Sequence, residues 1–254
     1  GADIKEFNGA SPQQIEALVK KGQLLFNRIE DLEIPSLAMI NGVAMGGGLE
    51  LTLACTGRIA YDDAQLALPE TKLGILPGWG GTTRLPRIIG LANAISLICS
   101  GKTIGAHEAK KMGLVDGVAI DDKLVGRLIS AAKREVTKRR EKKMSPVKIN
   151  TFKSVVTFKM AKKNIVAQAK GNYPAPMVAL EVMKHCRSLC RDEALERERK
   201  AFVDLSQTDV TTNLISIFFG EHDLKAKATE WALCASEISK VAVLGAGAMG
   251  AGIA

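Results

Sequence analysis

The stretch that most restricts how this chain can fold is residues 40–55, INGVAMGGGLELTLAC. Three consecutive glycines, Gly46, Gly47 and Gly48, interrupt an apolar run, and Glu50 follows two residues later. A carboxylate in apolar surroundings is costly unless it is paired or used. Consecutive glycines sacrifice backbone entropy unless something needs the room. The pattern reads as a short strand, a tight turn and a helix beginning at the glycines. Such a turn presents unpaired N–H groups at the positive end of the helix, which stabilise negative charge. Two arrangements satisfy it: an oxyanion site with Glu50 one turn away, or a plain strand-to-helix turn with Glu50 directed to solvent.

A second carboxylate bears on that choice. ALPETKLG places Glu70 at the end of an apolar, strand-like piece, followed by more apolar loop. Two glutamates in apolar surroundings can be driven to different pKa values, so that one site holds an acid and a base together. Forming an enolate requires that pair, plus N–H donors for the oxygen.

The rest of the chain is expected to alternate short helices and strands, an α/β arrangement. A helix opens in SPQQIEALVKKGQLLFNRIE, with Ser11 as N-cap, Pro12 in the first turn and Gln14 completing a capping box. Ile15, Leu18, Val19, Leu25 and Ile29 form its apolar stripe. Residues 34–42 read as a buried strand. GRIAYDD and AQLALPE read as two further strands, and LGILPGWGGTTRLPRIIG as a loop running into a helix. IGAHEAKKMG is a helix closed by Gly113, and LVDGVAI a strand. Beyond Asp121 the sequence becomes charged and helical, is broken at NYPAP, and resumes as helix. It ends in KVAVLGAGAMGAGIA, a β-rich run into G-x-G-x-x-G at Gly245, Gly247 and Gly250.

Composition excludes several functions. Aromatic residues make up 4% of the 254, leaving few platforms for stacking nucleic-acid bases. Much of the net charge of +8 sits in KREVTKRREKK, residues 133–143. That run is either a solvated helix face or an attractor of phosphorylated cofactors, acidic lipid or nucleic acid. A nucleic-acid role lacks interleaved aromatics and any recognised motif. No apolar run reaches the about 20 residues of a membrane span, and nothing else indicates membrane attachment. Five scattered cysteines argue against a disulfide framework and for a reducing compartment. Of the three histidines only His185 adjoins a cysteine, Cys186. Two surface residues of one helix account for that pair better than a metal site does, and no metal is expected.

GADIKEF, INGVAMGGGLELTLACTGRIA, LALPETKLGILPGWGGTTRLP and AKKMGLVDGV together resemble the crotonase (enoyl-CoA hydratase/isomerase) superfamily. The helices that follow, KGNYPAP and the terminal glycine motif narrow the resemblance to multifunctional α-subunits of fatty-acid β-oxidation. There an enoyl-CoA hydratase domain is joined by helices to an NAD-dependent 3-hydroxyacyl-CoA dehydrogenase domain. The resemblance implies a crotonase-like ββα spiral core over residues 1–120, incomplete at its N-terminus. It implies a helical segment and linker over 121–237 and the first strand and turn of a Rossmann domain over 238–254. Glu50 and Glu70 become the catalytic pair, and the backbone N–H groups of Ala2 and Gly47 the oxyanion hole. Ala2, Asp3, Ile4 and Gly46 line the site for a coenzyme A thioester. Gly245, Gly247 and Gly250 would meet NAD in the longer parent chain. Retention of both glutamates favours hydration of trans-2-enoyl-CoA, with double-bond isomerisation as a side capacity, over a non-catalytic acyl-CoA-binding or scaffold module. The implied partner is a thiolase β-subunit, and the implied location bacterial cytoplasm or an organelle matrix rather than outside the cell.

Overall fold

The computed structural model describes residues 9–121, 123, 124, 126, 129, 151–233, 240, 242–245 and 247. Ala2, Asp3, Ile4, Gly250 and the basic run 133–143 lie outside the described residues. The chain divides into two compact units after Ile215.

In the first unit, the first four short strands are dealt alternately to two sheets. Strands β1 (Leu37–Ile40), β3 (Gly57–Tyr61) and β6 (Gly117–Ala119) form a parallel sheet in the order β1-β3-β6. Strands β2 (Val43–Met45), β4 (Gln65–Ala67) and β5 (Ile104–Gly105) form the second, with β2 and β4 parallel and β5 antiparallel. The corner between β1 and β2 turns at Gly42, whose φ of 80° suits only glycine. Parallel neighbours need crossover connections. These are supplied by helix α2 (Gly47–Ala54) after the first strand pair and by α3 (Gly81–Ile89) and α4 (Leu91–Ser100) after the second. Two strands followed by a helix is the unit of the expected spiral. Helix α5 (Ala106–Met112) ends at Gly113 in the left-handed conformation.

Helices α1 (Pro12–Glu30), α6 (Thr151–Ala169), α7 (Ala175–Cys186) and α8 (Arg191–Ser206) complete the first unit, with the start of α9 (Asp209–Ala232). The capping box forms, with Gln14 N–H donating to Ser11 Oγ at 3.3 Å and Ser11 N–H to Gln14 Oε1 at 2.8 Å. One continuous core joins α1, α2, the second sheet and α3 to α8, centred on Leu49, Leu53, Leu66, Leu68, Leu85 and Leu180.

The structure differs from the sequence expectations at four places. The buried face of α1 is Ile15, Val19, Gln23 and Phe26, while Leu25 is exposed, because that face continues at steps of four and three. Strand β1 forms but is not fully buried: Met39 is 49% exposed on the edge of its sheet. Cys186, expected on a helix surface, is buried at the end of α7. Residues 242–245 carry no strand; a strand gains stability only with neighbours to pair with. Among the described residues no helix is long and apolar enough to cross a membrane, and no group of three His, Cys, Asp or Glu could hold a metal ion.

Candidate active site

The glycine run makes the turn that its sequence demands. Gly46, with φ of 56° and ψ of −130°, ends β2 and caps α2. Its N–H donates to Ala67 O at 3.0 Å, tying the turn to the end of β4. The three glycines are half-buried, whereas Leu49 and Glu50 are buried. The first N–H groups of α2, which no helix can pair internally, therefore open beside the surface. At the other end of α2, the buried guanidinium of Arg58 donates to Thr52 O at 3.1 Å and Cys55 O at 2.9 Å. A cation at a helix C-terminus is favourable.

Glu50 does not face solvent; it is 2% exposed. That excludes the plain-turn arrangement with its carboxylate in water. Its Oε1 accepts N–H bonds from Trp79 at 2.8 Å and Gly81 at 2.7 Å. Gly81 opens α3, so Glu50 stands at a second helix N-terminus as well as in the first turn of its own. Burial pushes its carboxyl well above the usual range, and the negative charges of Glu70 and Glu198 push the same way. The bonds from Gly81 and Trp79 oppose this.

Glu70 begins a single 3-10 turn, Glu70–Leu73. A Cβ on Gly46 would lie 3.3 Å from Glu70 Oε1, a tight approach, and its φ of 56° is one that side-chain-bearing residues rarely adopt. Oε2 of Glu70 is buried without a hydrogen-bond partner. Burial pushes this carboxyl up to about 8, against the pull of its own backbone N–H. Glu50, Glu70, Gly46 and Gly47 are thus brought together.

A raised carboxyl is also a statement about stability. Between the ordinary value of 4.5 and about 8, folded Glu70 keeps a proton that the unfolded chain has released. The folded state binds more protons there, so its stability falls as pH rises through that window. Glu70→Gln removes this contribution. We expect its denaturation midpoint, relative to the unmodified protein, to rise between about pH 5 and about pH 8. Parallel midpoints across that range would show that Glu70 titrates normally.

Sequence reasoning missed the frame around these two carboxylates. Glu198 on α8 is completely buried, and Gln23 on α1 donates through Nε2 to Glu198 Oε1, Gly78 O and Leu195 O. Trp79 packs edge-on to Phe26, ring centres 5.5 Å apart, and its indole fills the space a side chain at Gly22 would need. One signal was available. Leu195, Glu198, Phe202 and Leu205 recur at steps of three and four, so Glu198 occupies an apolar-face position despite its charged neighbours.

Two buried carboxylates thus stand beside a glycine-built helix start. The chain belongs to the enoyl-CoA hydratase/isomerase family, whose description matches residues 1–174, more than half of it. It is 42% identical over 263 residues to the fatty acid oxidation complex subunit alpha of Pseudomonas paraeruginosa, and equally to that of Pseudomonas aeruginosa. Those alignments cover all of this chain but 37% of the relative, so the chain spans little more than a third of the curated proteins it matches. Among solved structures, an enoyl-CoA hydratase from Bacillus halodurans shares the fold, with a TM-score of 0.58 at 21% identity over 85% of this chain and 75% of that one. Another, from Thermoplasma volcanium, has a TM-score of 0.51 at 25% identity over 85% and 73%.

Proposed function

We propose that this chain hydrates trans-2-enoyl-CoA thioesters to 3-hydroxyacyl-CoA within fatty-acid oxidation. The observation that carries the reading is the buried pair, Glu50 and Glu70, at the glycine-built start of α2. Two neighbouring buried carboxylates cannot both ionise easily, so near neutral pH the pair holds one proton between its members. Glu70, whose buried Oε2 has no hydrogen-bond partner, is assigned as the acid. Glu50, which accepts two N–H bonds on Oε1, is the better base. Its Oε2 takes a proton from water as the water oxygen bonds to the β-carbon. The alkene electron pair moves toward the thioester oxygen, where the N–H of Gly47, with that of Ala2, receives the charge. Glu70 delivers its proton to the α-carbon. One turnover leaves the proton on the other carboxylate, so it must return before the next. The same donors and a carboxylate that moves a proton at carbon would support double-bond isomerisation at a lower rate.

The test is the absorbance of the enoyl-thioester band of crotonyl-CoA, followed in the full-length polypeptide. Its loss on mixing is the expected result. Tight binding of crotonyl-CoA with no absorbance change would select the rival, a non-catalytic acyl-CoA-binding module.

The likeness to fatty acid oxidation complex α-subunits supports assigning the longer parent an NAD-dependent dehydrogenase step and a thiolase β-subunit as partner. In the terminal motif Gly245 has a φ of 113°, which a tight dinucleotide turn can use. With Gly247 and Gly250 it would hold the pyrophosphate of NAD at a helix start. We expect calorimetric titration to detect NAD binding to the full-length polypeptide and none to residues 1–254 alone. A dinucleotide-binding unit also needs the remainder of its helix, the next strand and an acidic residue about 20 positions on. Absence of binding by the longer chain would remove this half of the assignment.

A further inference from the structure

Four successive backbone N–H groups at the start of α3 are shared alternately between two carboxylates. Those of Trp79 and Gly81 go to Glu50, at 2.8 and 2.7 Å. Those of Gly80 and Thr82 go to Glu198, at 2.6 and 3.0 Å, and the Thr82 hydroxyl joins them. Glu198 comes from α8, far along the chain, and is completely buried. It therefore touches no substrate, yet it holds Gly80 and Thr82, the residues that alternate with those bound to Glu50.

From this geometry we infer that Glu198 is a positioning residue for the reaction, holding residues 79–82 so that Trp79 and Gly81 fix Glu50 in its working orientation. The inference rests on the hydratase reading for its kinetic consequences, but not for its structural ones. The loop could not keep this shape by itself. Gly80 has φ of 108°, and a side chain there would overlap the Arg84 guanidinium. Arg84 is pinned in turn by Glu30 at 2.9 Å and Asn27 at 2.6 Å and donates to Trp79 O at 2.9 Å. Without Glu198, the N–H groups of Gly80 and Thr82 would be buried with nothing to accept them, and the loop would turn to satisfy them. The Trp79 and Gly81 donors would leave Glu50 with it. A displacement of about 1 Å at a catalytic group costs up to about 10²-fold in rate.

The second consequence is electrostatic. The charged and titratable groups facing Glu198 are Arg84 on α3, Glu50 on α2, Glu70 on the 3-10 turn and Cys186 on α7. Facing Glu50 are Glu70 and Glu198. Removing the negative charge of Glu198 should therefore let Glu50 ionise at lower pH.

The test uses Glu198→Gln, Thr82→Val and Thr82→Ser in the full-length polypeptide, with two readouts. In crotonyl-CoA hydration, Glu198→Gln should lower kcat about 10- to 100-fold with KM within about threefold. The limb of its pH profile that reports Glu50 should move to lower pH, which a general loss of stability would not produce. Thr82→Val, which loses the hydroxyl that donates to Glu198 Oε2, should lower kcat several-fold, and Thr82→Ser should restore it. In hydrogen exchange, the amides of Trp79 and Gly81 should lose protection in Glu198→Gln and in Thr82→Val. If Glu198→Gln does not fold, the Thr82 pair decides by the same criteria. Unchanged kcat, or a change in KM alone, overturns the inference, as does full protection of the Trp79 and Gly81 amides in the variants. Should the unmodified protein fail to turn over crotonyl-CoA, the hydratase reading falls, and hydrogen exchange alone decides whether Glu198 holds Glu50.

Discussion

Glu70→Gln in the full-length polypeptide should lose crotonyl-CoA hydration by about 10²-fold or more, and Glu50→Gln by a similar factor, the range for acid–base groups. Glutamine keeps the shape of each side chain. At position 50 it also keeps an oxygen to accept the Trp79 and Gly81 N–H groups at 2.8 and 2.7 Å, so the start of α3 remains capped. At position 70 it replaces a carboxyl that burial already keeps protonated up to about pH 8. Neither change therefore threatens the fold near neutral pH, and the lost rate reports proton transfer. The two should differ in how the residual rate depends on pH. Glu70→Gln removes the limb on which an acid must stay protonated, and Glu50→Gln the limb on which a base must be ionised. Near-normal hydration by either folded variant would end the paired-carboxylate mechanism. If only one is silent, a single-carboxylate reaction, as isomerisation requires, would replace it.

Gly47→Pro should abolish most turnover while leaving the protein folded. Proline is tolerated in the first turn of a helix because the N–H it lacks has no internal partner there. Gly47 is the first residue of α2, and the residue before it is a glycine, which adapts to a following proline more readily than any other. The substitution thus deletes one donor at an otherwise compatible position. An oxyanion donor is typically worth about 10²- to 10³-fold in kcat, and that is the loss expected, measured with crotonyl-CoA and accompanied by a thermal melt. Gly47→Val should be as inactive through steric obstruction of the thioester. A folded Gly47→Pro protein with the normal rate would return the glycine run to a purely structural turn.

Much of this site could be read from the chain alone because its elements are local. Three glycines between an apolar run and LELTLAC dictate strand, turn and helix within about a dozen residues, and β2, Gly46 and α2 form there. Ser11, Pro12 and Gln14 announce the start of α1 by chemistry confined to four positions. Glu70 could be singled out because it follows apolar strand residues directly. Where the reading went astray, the deciding partner was elsewhere. Leu25 looked like core and is 52% exposed, while Gln23, outside the expected stripe, is 2% exposed because it meets carbonyls of Gly78 and of Leu195 on α8. Cys186 looked like surface and is buried against α8.

By itself, then, the sequence determined that this protein would carry a glycine-built helix start with two carboxylates in apolar surroundings. Periodicity, turn chemistry and residue type act over a few positions and need no tertiary partner. Only the tertiary structure decided where those carboxylates point and what holds them. Glu50 is fixed by N–H groups 29 and 31 residues further on, and the loop that supplies them is gripped by a glutamate 116 to 118 residues beyond it. A hydrogen bond across that separation leaves no local pattern in either segment. It is set by the packing of α1, α3 and α8 around one buried loop, where every N–H must find an acceptor.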